Sequence, residues 1–127
     1  MDKKLQNKIF KRFDYMFRER KLPMSQTCMC WGITTGNGWY DLLWKLCEDI
    51  EKELKKDIEV KKEFAFTQVK EKFATLRAYY NGGTEKIETL ICKAEQKSAV
   101  TCEICGKPGK QCGGAWVKTL CKKCNTE

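Results

Sequence analysis

The sequence contains no histidine, only two prolines and no long hydrophobic run. Without histidine the chain lacks the usual general base at neutral pH, and a zinc site must use cysteine, aspartate or glutamate as ligands. No apolar stretch approaches the roughly 20 residues that a membrane-spanning helix needs. The chain begins MDKKLQNKIFKRF, which has no apolar core or cleavage site, so we expect no secretory signal. These absences favour a non-enzymatic, cytoplasmic protein without a membrane partner.

The charge of the chain is positive and unevenly distributed. Of its 127 residues, 33% are charged and 42% are hydrophobic, and the formal net charge is +8. Residues 1–37 carry eight basic and three acidic side chains, whereas residues 38–63 carry more acidic than basic ones. This distribution favours an acidic partner, such as a nucleic acid or an acidic protein surface.

Four of the nine cysteines form two closely spaced pairs near the end of the chain. Cys102 and Cys105 are separated by two residues, as are Cys121 and Cys124, and 15 residues lie between the pairs. A two-residue gap allows one tight turn to direct two thiolates at one ion, and tetrahedral zinc takes four such ligands. Gly106 tolerates the positive φ angle of such a turn. The spacing therefore predicts a structural zinc site.

Other interpretations of the cysteines are weaker. Four free thiols or a redox C-x-x-C pair do not explain the two pairs, and a complete four-sulfur shell leaves no open position for catalysis. Cys112 lies in the segment between the two pairs, and it either takes no part in the site or replaces one of the four ligands. Cys28 and Cys30 could share a second metal site with Cys47 and Cys92. Burial is the favoured interpretation, because Cys47 and Cys92 lie on or next to the apolar stripes of their helices.

The first 20 residues predict an amphipathic helix over residues 3–20, with an apolar face that includes Ile9, Phe13 and Phe17. Its other side is basic, and we assign partner or nucleic-acid binding to it. The residues concerned are Lys4, Lys8, Lys11, Arg12 and Arg18. A solvated face is the alternative, and a membrane-surface helix is disfavoured because acidic residues interrupt the charge.

The middle of the chain predicts an α+β core. Residues 22–38 have turn formers and no period, so a loop is expected, and apolar spacing predicts a helix over 39–56. Residues 63–69 partly alternate and are rich in aromatics, as a strand is, whereas residues 69–80 fit either a helix or a strand. We favour two antiparallel strands, because the second runs into the turn-forming residues 81–83. Arg77, Tyr79 and Tyr80 either stack on nucleotides or, as is more usual for such residues, complete a sheet face. Thr84 is a suitable N-cap for a helix over 85–97.

The predicted fold class is therefore α+β, with about three helices, a small antiparallel sheet and a C-terminal four-cysteine zinc knuckle or ribbon. Three segments are expected: a basic amphipathic helix at 1–21, an α+β core at 22–98 and a zinc-binding module at 99–127.

Three stretches of the chain resemble a family of small proteins encoded by tailed bacteriophages and prophages. They are CMCWGITTGNGWYDLLWKLCEDIE at 28–51, QVKEKFATLRAYYNGG at 68–83, and AEQKSAVTCEICGKPG with WVKTLCKKC within 94–124. The resemblance covers about residues 28–124 and implies a phage accessory protein acting in the cytoplasm of the bacterial host. It implies no role for individual residues.

Three functions are weighed on this basis. The leading hypothesis is a counter-defence protein of the anti-CRISPR type that binds and inhibits a host ribonucleoprotein, an RNA-guided nuclease. The alternative is a phage accessory protein that binds DNA or RNA directly, in transcription or packaging. An enzyme ranks last, because its candidate carboxylates, Asp41, Glu48 and Asp49, lie on a helix that needs solvated charges anyway.

Overall fold

A computed structural model describes residues 1–125 of the 127-residue chain. The α-helices are α1 (Lys3–Arg12), α2 (Tyr40–Leu54), α3 (Ile58–Glu63) and α4 (Glu85–Ser98). The strands are β1 (Ile33–Thr34), β2 (Ala65–Lys72), β3 (Thr75–Asn81), β4 (Lys110–Cys112) and β5 (Lys118–Leu120). Short 3-10 helices cover Asp14–Lys21, Met29–Trp31 and Asn37–Trp39. The α+β class is confirmed.

Helices α2 and α4 follow the apolar periodicity of the sequence. α2 occupies most of the predicted range 39–56, and α4 occupies the predicted range 85–97 with one residue more. The Thr84 hydroxyl oxygen accepts a hydrogen bond from the Ile87 N–H at 3.2 Å, which is the expected N-cap. Both predictions are confirmed, and the two helices pack against each other.

The first helix is shorter than the one predicted over residues 3–20. α1 ends at Arg12, Phe13 adopts a non-helical conformation, and the chain continues as a 3-10 helix that is irregular at Phe17. Helix ends leave carbonyl groups without intrahelical partners. Here the Arg20 guanidinium donates to the carbonyl oxygens of Asp14 (3.1 Å) and Phe17 (3.0 Å). The prediction of one continuous helix was therefore wrong beyond Arg12.

Strand β1 lies within residues 22–38, which the sequence analysis interpreted as a loop. Ile33 and Thr34 pair with Val69 and Lys70 of β2, and the two strands run parallel. The sheet, with order β1-β2-β3, is consequently mixed rather than purely antiparallel. A two-residue strand carries no periodicity of its own, so this pairing depends on a partner more than 30 residues away.

Strands β2 and β3 form the antiparallel hairpin that was favoured over a helix for this stretch, and that prediction is confirmed. The hairpin reverses at Phe73 and Ala74, whose φ angles are +51° and +69°. Such angles are uncommon for residues with a side chain, and two-residue hairpin turns normally take Asn-Gly or Asp-Gly. The turn therefore depends on contacts made by the rest of the fold.

Helix α3 was not predicted. It begins after Asp57, whose Oδ1 accepts hydrogen bonds from the N–H groups of Glu59 (2.9 Å) and Val60 (3.4 Å). None of its six residues is buried. A helix this short has no complete apolar stripe to reveal it in the sequence.

One hydrophobic core joins the helices to the sheet. Its largest fully buried side chains include Phe13, Phe17, Trp39, Leu43, Phe64 and Phe66. Because these residues come from both 1–21 and 22–98, the first segment is part of the core and does not stand apart from it. Within residues 1–125, no helix has the length and apolar character needed to cross a membrane.

Candidate metal centre

Cys102, Cys105, Cys121 and Cys124 converge on one point. Their four sulfur atoms all lie within 4.8 Å of one another, and the Sγ atoms of Cys105 and Cys121 are 3.6 Å apart. Tetrahedral coordination with metal–sulfur bonds of about 2.3 Å places the sulfurs roughly 3.8 Å apart. The cluster can therefore hold one metal ion, with all four thiolates as ligands.

Each cysteine pair is held in a turn of the same form. The Gly106 N–H donates to the Cys102 carbonyl oxygen at 2.9 Å, and the Asn125 N–H donates to the Cys121 carbonyl oxygen at 3.0 Å. Gly106 has a φ angle of +82°, as the sequence predicted. A second reason for glycine is the close approach of Gly38, whose carbonyl oxygen would lie 2.9 Å from an added Cβ atom.

Backbone N–H groups favour ionisation of two of the four sulfurs, those of Cys102 and Cys121. Burial opposes ionisation of Cys102, but the N–H groups of Cys105, Cys121 and Ile104 outweigh it and lower the pKa of Cys102 to about 6. The Cys124 N–H, 3.4 Å from the Cys121 sulfur, lowers the pKa of Cys121. The Cys124 thiol donates to Cys121, which raises the pKa of Cys124 to about 12. A bound divalent cation would ionise all four thiols.

A small β-ribbon supports the second pair. Strands β4 and β5 are antiparallel, with Lys110 opposite Leu120 and Cys112 opposite Lys118. The beginning of the module is closed by hydrogen bonds from the Cys102 N–H to the Lys107 carbonyl (2.7 Å) and from the Gly109 N–H to the Val100 carbonyl (2.9 Å). The ligands are therefore carried on backbone that pairs with itself.

The first knuckle is attached to the core through Gly36 and Gly38. The Gly36 N–H donates to the Glu103 carboxylate at 2.9 Å, and the Gly38 N–H donates to the Glu103 carbonyl oxygen at 2.7 Å. Next to them, the buried Trp39 indole N–H donates to the Thr101 carbonyl oxygen at 2.9 Å. Residues 36–39 (Gly-Asn-Gly-Trp) are thus the part of the core that the metal-binding module contacts.

The second strand of the ribbon is attached to the hairpin turn of the sheet. The buried Thr119 hydroxyl donates to the Ala74 carbonyl oxygen at 2.7 Å. The Lys118 ammonium lies 3.4 Å from a Glu71 carboxylate oxygen and 3.6 Å from one of Glu103. Residues 99–125 therefore contact the rest of the chain on two sides and are not a free satellite.

These attachment residues were not identified as functional by the sequence analysis. Two glycines flanking Asn37, directly before a tryptophan, were the only signal for the first contact. Glu103 lies between two ligands and is 5% exposed, but its spacing alone does not distinguish it from a solvated carboxylate. Contacts between residues 36 and 103 depend on tertiary packing, which local patterns do not encode.

The other cysteines lie outside the cluster. In residues 1–125 the cysteine group described above is the one set of possible ligands close enough to share an ion. Cys47 is fully buried, and that burial raises the pKa of its thiol. Cys28 and Cys92 are exposed, and the Cys30 sulfur donates to the Thr27 carbonyl oxygen. The geometry thus favours core burial for Cys47 over a second metal site, whereas the expected burial of Cys92 was wrong, since this residue lies on the exposed side of α4.

Cys112 provides a test of the ligand assignment. Its sulfur contacts the carbonyl oxygens of Lys110 (3.3 Å) and Leu120 (3.9 Å) instead of joining the cluster. We expect Cys112→Ser to leave the metal content at that of the wild type, because all four positions of a tetrahedral site are filled without it. Metal analysis by plasma mass spectrometry measures this, and a lower content in the variant would make Cys112 a ligand.

The basic residues predicted for partner binding divide into two groups. Lys4, Lys8 and Lys11 are exposed on α1. Arg12 instead forms two hydrogen bonds of 2.8 Å with Glu51, and Arg18 donates to the carbonyl oxygens of Phe64 and Lys62. Both arginines therefore connect α1 and its continuation to other elements of the core.

Comparison with protein-family models, with curated proteins and with solved structures gives no match for this chain.

Proposed function

We propose that the cysteine cluster binds zinc as a structural ion. Four sulfur ligands in a tetrahedral-sized cluster suit zinc, and the complete shell leaves no position for a substrate. The module is short and its ribbon has only two three-residue strands. So small a segment buries too little apolar surface to fold alone, and zinc would supply most of its stability.

We further propose that the protein is a non-enzymatic binding protein directed at a host nucleoprotein. The observation that carries this proposal is the uncompensated positive charge of α1. Lys3, Lys4, Lys8 and Lys11 are exposed and form no ion pair within residues 1–125, whereas many carboxylates elsewhere pair with cations of the chain itself. Four unpaired lysines on one short helix suit contact with phosphate groups.

The biological role we propose is counter-defence in the cytoplasm of a bacterial host. The resemblance to phage proteins suggests a role inside the host. The exposed lysines of α1 suit a ribonucleoprotein such as an RNA-guided nuclease, because it offers phosphate groups as well as protein surface. The rigid attachment of the zinc module to the core supports it, because a pre-organised scaffold loses little entropy on binding.

Direct binding of DNA or RNA is the second candidate. A specific observation favours it: the solvent-facing side of the β1-β2-β3 sheet carries basic and aromatic side chains with no acidic neighbour on that side. In this case binding requires no host protein, and its affinity falls steeply with salt.

Affinity capture from host lysate separates the two candidates. We expect the zinc-loaded, tagged protein to retain one defined complex, identified by mass spectrometry, after nuclease washing. Lys4→Glu, Lys8→Glu and Lys11→Glu combined should abolish retention. The matched control is Lys52→Glu, Lys86→Glu and Lys110→Glu, which reverses three exposed lysines elsewhere. Recovery of mixed nucleic acid, with all protein lost after nuclease, would replace the first candidate with the second.

A further inference from the structure

The β1-β2-β3 sheet has one buried side and one solvent-facing side. Phe66, Val69, Leu76 and Ala78 are buried and point into the core. The register of β2 shifts between Phe66 and Gln68, and from Gln68 onwards the alternation of the strands places the residues between the buried ones on the other side. We call this surface the sheet face, and its members are Thr34, Gln68, Lys70, Lys72, Thr75, Arg77 and Tyr79.

Two positive charges lie directly opposite each other on the sheet face. Lys70 and Arg77 are cross-strand partners in the β2–β3 ladder, and Lys72 lies on the same side two residues along. Like charges in this position destabilise a sheet. Within residues 1–125 none of the three forms a salt bridge, and the Arg77 side chain donates only to the Thr75 hydroxyl at 3.2 Å. Stability alone does not account for this arrangement, whereas an anionic ligand would.

Glu71 could have compensated these charges but faces the other way. Its carboxylate accepts a hydrogen bond from the Ala74 N–H at 2.9 Å and lies 3.4 Å from the Lys118 ammonium. The acidic residue of β2 is therefore committed to the turn and to the metal-binding module. The sheet face is left with basic, aromatic and neutral polar side chains.

Two exposed aromatic rings accompany the charges. Tyr79 is 45% exposed, and the Lys70 ammonium lies 5.9 Å from its ring centre. Phe73 is 68% exposed at the hairpin turn, and the Lys72 ammonium lies 5.5 Å from its ring centre. The positive φ angle of Phe73 is maintained because the adjacent Ala74 is buried and bonded on both sides. Strain held in this way is typical of residues displayed for a ligand.

A groove adjoins Tyr79 at the end of the sheet face. Its volume is about 480 Å³, and its lining includes Met24, Ser25, Gln26 and Gln68. The side chains of Ser25, Gln26 and Gln68 form no hydrogen bond with any described part of the chain. Their hydroxyl and amide groups are free to pair with the polar edge of a planar ring that stacks on Tyr79.

We propose that the sheet face binds a single strand of nucleic acid. Bases stack on Tyr79 and Phe73, the groove receives the edge of the base on Tyr79, and Lys70, Lys72 and Arg77 contact the phosphates. Unpaired bases offer both the ring faces and the charges that this surface complements, whereas a duplex keeps its bases stacked inside. This site deepens the proposed function, since it supplies the contact with the nucleic-acid part of a nucleoprotein.

Fluorescence anisotropy with the zinc-loaded protein tests the site. The probes are labelled oligouridine and oligothymidine of about 15 nucleotides, and a duplex of equal length, at ~50 mM salt. We expect both single strands to bind more tightly than the duplex. Tyr79→Ala should weaken single-strand binding at least about fivefold, and Tyr79→Phe, which keeps the ring, should restore it.

Charge reversal supplies the second arm of the experiment. Lys70→Glu with Arg77→Glu should weaken single-strand binding and reduce the slope of log affinity against log salt by about 1.4, which corresponds to two phosphate contacts. The matched control is Lys52→Glu with Lys86→Glu, which reverses two exposed lysines on α2 and α4 and should bind like the wild type. Metal content and circular dichroism confirm that each variant is folded.

Four outcomes would overturn the proposal: no single-strand binding, tighter binding of the duplex, single-strand binding that Tyr79→Ala leaves unchanged, or equal loss in the control pair. Oligonucleotide binding and affinity capture can fail independently, so the two proposals are tested separately. If oligonucleotide binding depends on Tyr79 but no host complex is retained, the site stands and the nucleoprotein target fails. If a complex is retained through Lys4, Lys8 and Lys11 while Tyr79→Ala leaves oligonucleotide binding unchanged, the nucleoprotein target stands and the sheet-face site fails.

Discussion

Replacing Cys102 with serine is expected to weaken metal binding by more than about 100-fold. Loss of an outer-shell partner alone weakens metal binding about 10–100-fold, and Cys102 is a fully buried ligand whose pKa is lowered by backbone N–H groups. A serine hydroxyl cannot replace that thiolate. Because the module has little core of its own, we expect residues 99–125 to lose their folded structure together with the metal.

The same change is expected to destabilise the core. Trp39 bonds to the Thr101 carbonyl, and Gly36 and Gly38 bond to Glu103, so unfolding of the module removes these three contacts and exposes the indole. Thermal unfolding should begin at lower temperature, and a strong chelator should produce the same shift in the wild type. NMR of the Trp39 indole N–H reports the loss of its hydrogen bond.

Cys92→Ser is the matched control for this experiment. Cys92 is exposed on α4 and lies outside the cluster, so its replacement should leave metal content and thermal stability at those of the wild type. If Cys102→Ser keeps wild-type metal affinity, the assignment of the four ligands is wrong. If it loses the metal but the chain unfolds at the same temperature as before, the module does not support the core.

Replacing Gly38 with alanine is the second change with a large expected effect. A Cβ atom on Gly38 would stand 2.6 Å from the Glu103 carbonyl carbon and closer still to the Cys102 carbonyl oxygen. Both atoms belong to the backbone of the first knuckle, so neither can move aside without shifting a metal ligand. We expect the free energy of unfolding to fall by about 3 kcal/mol, at the upper end of overpacking costs.

Gly114→Ala provides the comparison for Gly38→Ala. An added Cβ at Gly114 meets nothing within 4 Å, so this variant should unfold within about 0.5 kcal/mol of the wild type. Urea denaturation of both zinc-loaded variants measures the difference. Equal stability of Gly38→Ala and the wild type would mean that the module does not rest on residues 36–38 as described.

The helices and ligands that were predicted correctly have local signals. α2 and α4 each extend over about four turns, so their apolar residues recur often enough to define a buried stripe, and Thr84 marks the beginning of α4. Each cysteine pair is separated by two residues, and that spacing sets the geometry of a knuckle whatever surrounds it. Local chemistry was therefore sufficient for these elements.

The errors occur where distant contacts override local pattern. Residues 3–20 have helical periodicity throughout. The backbone nevertheless leaves the helical conformation at Phe13 and Phe17, where both rings are buried in a core shared with the sheet. β1 consists of two residues whose pairing partner lies on β2. The hairpin strands were predicted, but no local signal marks their turn at Phe73 and Ala74, which is held by Glu71 of β2 and by the distant Thr119.

The sequence by itself determined the α+β class, the two long helices, the hairpin strands and the four cysteines that can hold a metal ion. These features follow from periodicity and spacing within short segments of the chain, so they do not depend on contacts between distant residues. Only the tertiary structure decided that Gly36 and Gly38 receive Glu103, that Thr119 closes the hairpin turn, and that Lys70 lies opposite Arg77. Each of these contacts joins residues from separate elements, so their position depends on how the whole core packs.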